Sequence, residues 1–203
     1  MATFSLVHGA WHGGWAWDRV REELEARGHV VATPDLPCDD IGADIRAYAR
    51  CVPRADVVVG HSLAGLTIPL VDADVRVYLC ALVPGFDRSD AFVPGFGDAR
   101  IRDELGRSYY PDPDDGAREL QYPNGDRELA GLLRRQAPVD SAERSGGRAA
   151  YVVCARDAVI RPTWQRRAAG VVGGDCLELD AGHSPMLTHA RELADLLEPY
   201  AAS

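Results

Sequence analysis

The sequence predicts an α/β fold: a mostly parallel sheet of about six strands with helices on both faces. Three observations carry that expectation. Apolar runs of strand length alternate with segments of helical periodicity. The runs are near-continuously apolar, as strands covered on both faces are. Finally, His8, Ser62, Asp157 and His183 each fall just after such a run, and open parallel sheets place their sites at the strands' carboxyl ends.

Thr3 to Val7 reads as the first strand. It ends at a glycine-rich loop, His8-Gly9-Ala10-Trp11-His12-Gly13-Gly14-Trp15-Ala16-Trp17. Trp17, Val20 and Leu24 mark a helix that stops at Gly28, a residue suited to the position after a helix end. Val30 to Ala32 form a second strand, closed by Pro34, and Ile41 to Val52 form a weaker amphipathic helix. Val57 to Val59 are three consecutive β-branched residues and read as a buried strand. Leu63, Leu66, Leu70 and Val71 follow at helical spacing. Val75 to Val83 is a strand stopped by Pro84-Gly85, and Ala149 to Ala155 is another. A helix from about Pro162 to Ala169 and a last strand, Cys176 to Leu179, complete the alternation. Ser184 is placed to cap a C-terminal helix with Pro185 at its first position.

The chain is read as one domain, 1–203, with an insertion at about 85–148. That segment carries Phe86, Phe92, Phe96, Tyr109, Tyr110 and Tyr122 among prolines, glycines and aspartates, with helices expected at Ala99 to Leu105 and Arg127 to Gln136. A long excursion from a compact domain is either functional or disordered, and the aromatic content favours function.

Composition narrows the chemistry. The 203 residues are 46% hydrophobic, with a formal charge of −9 and pI about 5.1. Neither nucleic acid nor an anionic membrane surface is an expected partner. All 22 basic residues are arginine, which excludes Schiff-base chemistry and a phosphate-binding loop lysine. No apolar run approaches a membrane span, and Met1 to Val7 lack the basic region of a signal peptide. The five cysteines, at 38, 51, 80, 154 and 176, form no CxxC pair, which fits a reducing cytoplasm. No metal and no cofactor are expected. His8 and His12 have i,i+4 spacing, but the surrounding glycines argue against the helix that ligation at that spacing needs. A homodimer stays open.

The chemistry centres on Gly60-His61-Ser62-Leu63-Ala64-Gly65. A serine in so tight a strand-to-helix turn takes a positive φ. Gly60, Ala64 and Gly65 are small where crowding is greatest, and the Leu63 N–H at the helix start is free for an oxyanion. A hydroxyl needs a base to become a nucleophile. His183 follows a strand at the same sheet edge. His61 must point away from its neighbour Ser62, His8 is expected to shape its loop, His29 lies at the wrong end and His189 lies in the last helix. Asp157 ends a strand and can orient His183, or cap the helix that follows; Asp180 is too near His183 along the chain.

These residues resemble the nucleophile elbow, G-x-S-x-G, of the α/β-hydrolases, with Ala64 at the fifth position and glycine one residue later. The order Ser62, Asp157, His183 is similar to that family's order, and the 85–148 insertion resembles its cap. The first loop, Val7-His8-Gly9-Ala10-Trp11-His12-Gly13-Gly14-Trp15, resembles that of plant methylesterases, hydroxynitrile lyases and their bacterial esterase relatives. The likeness spans residues up to 83 and again from about 149; the cap looks short, and the first strands of the common family sheet are missing. It implies an α/β-hydrolase fold and a serine hydrolase that cleaves a small carboxylic ester through an acyl-enzyme. Ser62, His183 and Asp157 would be catalytic, Ala10 and Leu63 N–H would form the oxyanion hole, and Gly9, Trp11, Trp15 and Phe86 would line the substrate pocket. A thioesterase or lactonase would use the same groups, and a non-catalytic member would keep the pocket alone. A lyase of this group has threonine and lysine where this chain has Gly9 and Ser184.

Overall fold

The computed structural model describes residues 1–10, 12–37, 43–94 and 147–202, and the backbone of three short strands between 101 and 121. Six parallel strands form the main sheet: β1 (Thr3–Val7), β2 (Val30–Ala32), β3 (Ala55–His61), β4 (Ala73–Leu79), β8 (Arg148–Cys154) and β9 (Asp175–Leu179), in the order β2-β1-β3-β4-β8-β9. Between β4 and β8 in the chain, β5 (Ile101–Arg102), β6 (Ser108–Pro111) and β7 (Arg118–Gln121) make a separate antiparallel sheet.

Strand periodicity divides the core in two. Val57 and Val59 point to one face and Val58 to the other; Ala150, Val152 and Cys154 oppose Tyr151 and Val153 in the same way. Helix α1 (Asp18–Ala26) covers the first face with Val20 and Leu24, beside Trp17, and α5 (Ala190–Leu197) adds Leu193, Ala194 and Leu197. The second face packs against α2 (Ile45–Cys51), through Ile45 and Tyr48, and α3 (Pro162–Val172), through Trp164, Ala168 and Ala169. The Gly28 and His29 N–H groups bond to the Glu25 and Leu24 carbonyls, and Gly28 has φ +87°, so the glycine ends α1 as expected.

The structure corrects four local expectations. The elbow is followed by two 3₁₀ segments, Ser62–Leu66 and Ile68–Leu70, instead of an α-helix. Pro69 has no N–H to give to the Gly65 carbonyl and its ring crowds that carbonyl, so an α-helix cannot pass through. Strand β4 stops at Leu79, before Pro84, because Cys80 turns to φ +37° and the Leu82 N–H bonds to the Ser62 carbonyl. The backbone at Ile101–Arg102 is a strand where a helix was expected over Ala99 to Leu105; pairing with β6 overrides local propensity. The expected helix at Arg127 to Gln136 lies outside the described residues. At the C-terminus, α4 (Pro185–Thr188) and α5 are separated at His189 (φ −129°, ψ 42°). Ser184 holds the cap position of α4 without a side-chain capping bond.

Candidate active site

The carboxyl ends of β1, β3, β4, β8 and β9 lie side by side, so the turns that leave them converge. β3 delivers Ser62 from a strand buried at every residue but Asp56 into a turn with φ +53°. A side chain in that left-handed region is strained and persists where its surroundings over-determine it. The surroundings do so here. A Cβ on Gly60 would come 2.7 Å from the Ile68 side chain, and one on Gly65 would run into the Leu82 carbonyl. Ala64 tolerates its methyl and is buried, so the shift of the second glycine from the fifth to the sixth motif position has a cause. Gly65 is the position at which an added Cβ would meet the Leu82 backbone.

The turn after β9 carries His183, whose Nε2 lies 3.0 Å from Ser62 Oγ. Its Nδ1 donates to Asp157 Oδ2 at 2.8 Å. All three residues are less than 9% exposed. Asp157 does not cap α3, which begins at Pro162. Its Oδ1 accepts from the Val159 and Ile160 N–H groups at 2.7 and 2.9 Å, and its Oδ2 accepts from Gln165 Nε2 at 2.7 Å besides His183.

The first loop closes the other side. His8 Nδ1–H donates to the Gly9 carbonyl and its Nε2 accepts from the Leu36 N–H, so both ring nitrogens shape the loop. Burial lowers the His8 pKa. A Cβ on Gly9 would sit 2.8 Å from Ser62 Cβ and 2.9 Å from His61 Nδ1. Ala10 follows, buried, and Leu63 is the second residue of the 3₁₀ segment, in the first turn, where N–H groups have no partner within the segment.

His61 points away from Ser62, as its place in the turn requires. Its Nε2–H donates to the His183 carbonyl at 2.8 Å, and the Cys80 thiol donates to the same oxygen at 3.3 Å. The His12, His61 and His183 rings lie in a buried row, with centroids 5.5 and 4.8 Å apart. Desolvation lowers the His61 pKa well below the ordinary value and takes that of His12 to about 3. His61, Cys80 and His183 bring three ligand-type atoms within 4.8 Å, but the first two are turned to the His183 carbonyl and both ring nitrogens of His183 are engaged.

Of the residues expected to line the substrate pocket, Trp15 is partly exposed with its ring edge-on to His12, and Phe86 packs on Trp164. Trp11 lies outside the described residues. His29 bonds to the Ala2 N–H and to Glu198, at the opposite end of the sheet, and Asp180 pairs with Arg156 at the surface.

Residues 6–196 match the Alpha/beta hydrolase family. The chain belongs to that family. Among curated relatives of this hydrolase-family chain, Methylesterase 3 of Arabidopsis thaliana is 28% identical over 248 aligned residues, covering 95% of this chain and 93% of the relative. A carbendazim hydrolyzing esterase of a Nocardioides species is 34% identical over 114 residues, 49% of this chain and 46% of the relative. Among solved structures, polyneuridine aldehyde esterase superposes with a TM-score of 0.70 at 22% identity, covering 97% of this chain and 98% of that one. A pyrethroid hydrolase from Sphingobium faniae gives 0.68 at 20%, covering 99% and 97%. Those structural likenesses carry the fold.

Three residues of this family member that reach the site have no signal in the sequence. Gln165 bonds to Asp157 from within α3, where a glutamine is an ordinary helix residue. Tyr151 reads as one more aromatic strand residue, yet its hydroxyl holds the Ala81 carbonyl beside the elbow at 2.7 Å. Cys80 reads as a small hydrophobe in a strand, yet its thiol meets the His183 carbonyl.

Proposed function

We propose that the chain is a serine hydrolase that cleaves a small carboxylic ester through an acyl-enzyme. The observation that carries the reading is the bonded series Ser62 Oγ, His183 Nε2, His183 Nδ1, Asp157 Oδ2, at 3.0 and 2.8 Å, with Ser62 at φ +53°. His183 takes the Ser62 proton as Oγ attacks the ester carbonyl, while Asp157 fixes the tautomer and stabilises the imidazolium. The N–H groups of Ala10 and Leu63 receive the oxyanion. His183 then passes its proton to the departing alcohol, and water releases the acid by the same steps in reverse roles. Gly9 lets the first loop approach the tetrahedral centre. Relatives named methylesterase and carbendazim hydrolyzing esterase support an ester with a small alcohol group. By its likeness in sequence to a family cap, the 85–148 insertion would set substrate choice, with Trp15 and Phe86 contributing apolar surface; most of that insertion, like Trp11, lies outside the described residues.

Ester hydrolysis is favoured over cyanohydrin cleavage by Gly9 and Ser184. Neither supplies a cation, and the chain has no lysine to stabilise a departing cyanide. Cys51, Cys80, Cys154 and Cys176 are thiols and not disulfides, which suits a reducing compartment such as the cytoplasm. No described helix is long and apolar enough to cross a membrane.

The test is a panel of p-nitrophenyl esters of increasing chain length with a fluorophosphonate label, run on the wild type and on Ser62→Ala. Labelling at Ser62 and loss of hydrolysis in the variant are expected. Full activity in Ser62→Ala overturns the proposal. Cyanide release from mandelonitrile is measured alongside, and release that depends on Ser62 without ester cleavage assigns a lyase instead.

A further inference from the structure

We infer that Gln165 is a positioning residue for the reaction, setting the rotation of the Asp157 carboxylate that His183 meets. The inference rests on the Ser62–His183–Asp157 reading above.

Gln165 is fully buried in α3, and among the described residues it is the one buried side-chain amide. Its Oε1 accepts from the Cys154 N–H at 2.9 Å, at the last residue of β8. Its Nε2 donates to Asp157 Oδ2 and to the Ile160 carbonyl, both at 2.7 Å. The orientation of the amide is forced. A backbone N–H can only donate, and a carbonyl or a carboxylate can only accept, so a flipped amide would set donor against donor and acceptor against acceptor. The side chain is therefore held at both ends.

The choice of carboxylate oxygen matters. Oδ1 is held by two backbone N–H groups of the turn that follows β8. Oδ2 is the oxygen that faces His183, and its second partner is Gln165. Without that donor, the carboxylate keeps its attachment to the turn but is free to rotate about that anchor. Oδ2 then offers His183 Nδ1 a changed direction, and the imidazole's aim at Ser62 changes with it. Gln165 thus ties β8, the acid turn and α3 to one hydrogen bond of the site without touching substrate.

The experiment compares the wild type with Gln165→Met, Gln165→Glu and the control Arg166→Ala, each checked for folding by circular dichroism, with Ser62→Ala as the blank. Methionine keeps the length and loses the donors. Gln165→Met is expected to lose roughly 10- to 100-fold in kcat, the worth of a hydrogen bond to a charged group, with KM within about twofold. The far-downfield proton signal of His183 Nδ1–H is expected to move in that variant and stay in place in Arg166→Ala. In Gln165→Glu the introduced carboxyl regains a donor when protonated, so the ratio of variant to wild-type kcat is expected to rise as pH falls.

A folded Gln165→Met with wild-type kcat and an unmoved downfield signal overturns the inference. So does a Gln165→Glu ratio that stays as low as that of Gln165→Met at every pH, which would mean loosened packing of α3. If neither variant folds, the wild type decides: the Gln165 side-chain amide signals must follow the titration of His183, and their invariance overturns the inference. Full activity in Ser62→Ala would instead remove the underlying triad, an outcome separate from failure at Gln165.

Discussion

Gly9 and Ser62 are packed so closely that a β-carbon on the glycine would fall 2.8 Å from that of the serine, nearer than real Cβ atoms approach anything. The same added atom would meet His61 Nδ1 at 2.9 Å and the His61 carbonyl at 3.2 Å. None of these is the far end of a flexible side chain, so the first loop would have to withdraw. Gly9→Ala is expected to destabilise by about 1–3 kcal/mol and to lower kcat/KM tenfold or more, since the loop carries the Ala10 N–H with it. Gly170→Ala is the counterpart. Nothing lies within 4 Å of a Cβ there, inside α3, so it is expected to stabilise by about 0.5–1 kcal/mol and leave activity unchanged. Urea midpoints and ester kinetics on the two variants check both.

Asp157 is surrounded by donors on both oxygens: Val159 and Ile160 N–H on one, His183 and Gln165 on the other. An asparagine has to present its NH₂ to one of those donor pairs, whichever way it turns. Asp157→Asn is therefore expected to fold less stably and to lose roughly 10³–10⁴ in kcat, as acid-to-amide changes do in other triads. Asp180→Asn, which alters a surface pair with Arg156, is expected to leave kcat within about twofold, since exposed ion pairs contribute little. Comparable losses in the two would remove Asp157 from its role.

The buried histidines set the acid limit of stability. The pKa of His12 is lowered to about 3, chiefly by desolvation, and that of His61 is lowered by the same cause. An unfolded chain binds these protons at about 6.5. Below that pH the unfolded state holds more protons than the native one, so stability falls as pH falls from about 6.5 toward 3. His12 alone contributes up to about 1.4 kcal/mol per pH unit in that window. Among the described residues, the carboxylates with lowered values, Asp56, Asp87 and Asp175, act below their ordinary 3.8, so between about 6.5 and 4.5 the slope comes from the imidazoles. Urea midpoints between pH 7 and 4.5 should slope downward, and His12→Gln should flatten part of the slope. A level profile would show that these rings are not held neutral.

The four inner strands of the main sheet, β1, β3, β4 and β8, were legible because each is a largely buried apolar run bounded by turn residues, and the parallel arrangement follows from the alternation of strands with helices. The strained Ser62 was legible from the small residues around it. The 3₁₀ path after it was signalled by Pro69, which breaks the helical spacing of Leu63, Leu66, Leu70 and Val71. Ile101–Arg102 could not be read, because its partner at Ser108 and Tyr109 decides its state. Gln165 was invisible for a different reason. Its role depends on the direction of one amide across an eight-residue separation, and no periodicity encodes that.

The segment Cys80–Leu82 joins Ser62 and His183 through their backbone carbonyls. The Leu82 N–H donates to the Ser62 carbonyl at 2.9 Å, and the Cys80 thiol donates to the His183 carbonyl at 3.3 Å. The segment is itself held by Tyr151, whose hydroxyl donates to the Ala81 carbonyl at 2.7 Å while its ring stacks parallel on Tyr78. Burial raises the Tyr151 pKa well above the ordinary value, so the phenol stays a donor throughout the working pH range. Tyr151→Phe keeps the ring and strands a buried carbonyl, which costs about 1–3 kcal/mol. If the segment transmits its position to Ser62 and His183, kcat should fall with KM unchanged, and fluorophosphonate labelling of Ser62 should slow in proportion. Tyr78→Phe supplies the comparison, since it keeps the stacked ring and leaves the Ala81 bond intact. A Tyr151→Phe protein that loses stability yet labels and turns over like the wild type would confine Tyr151 to the core.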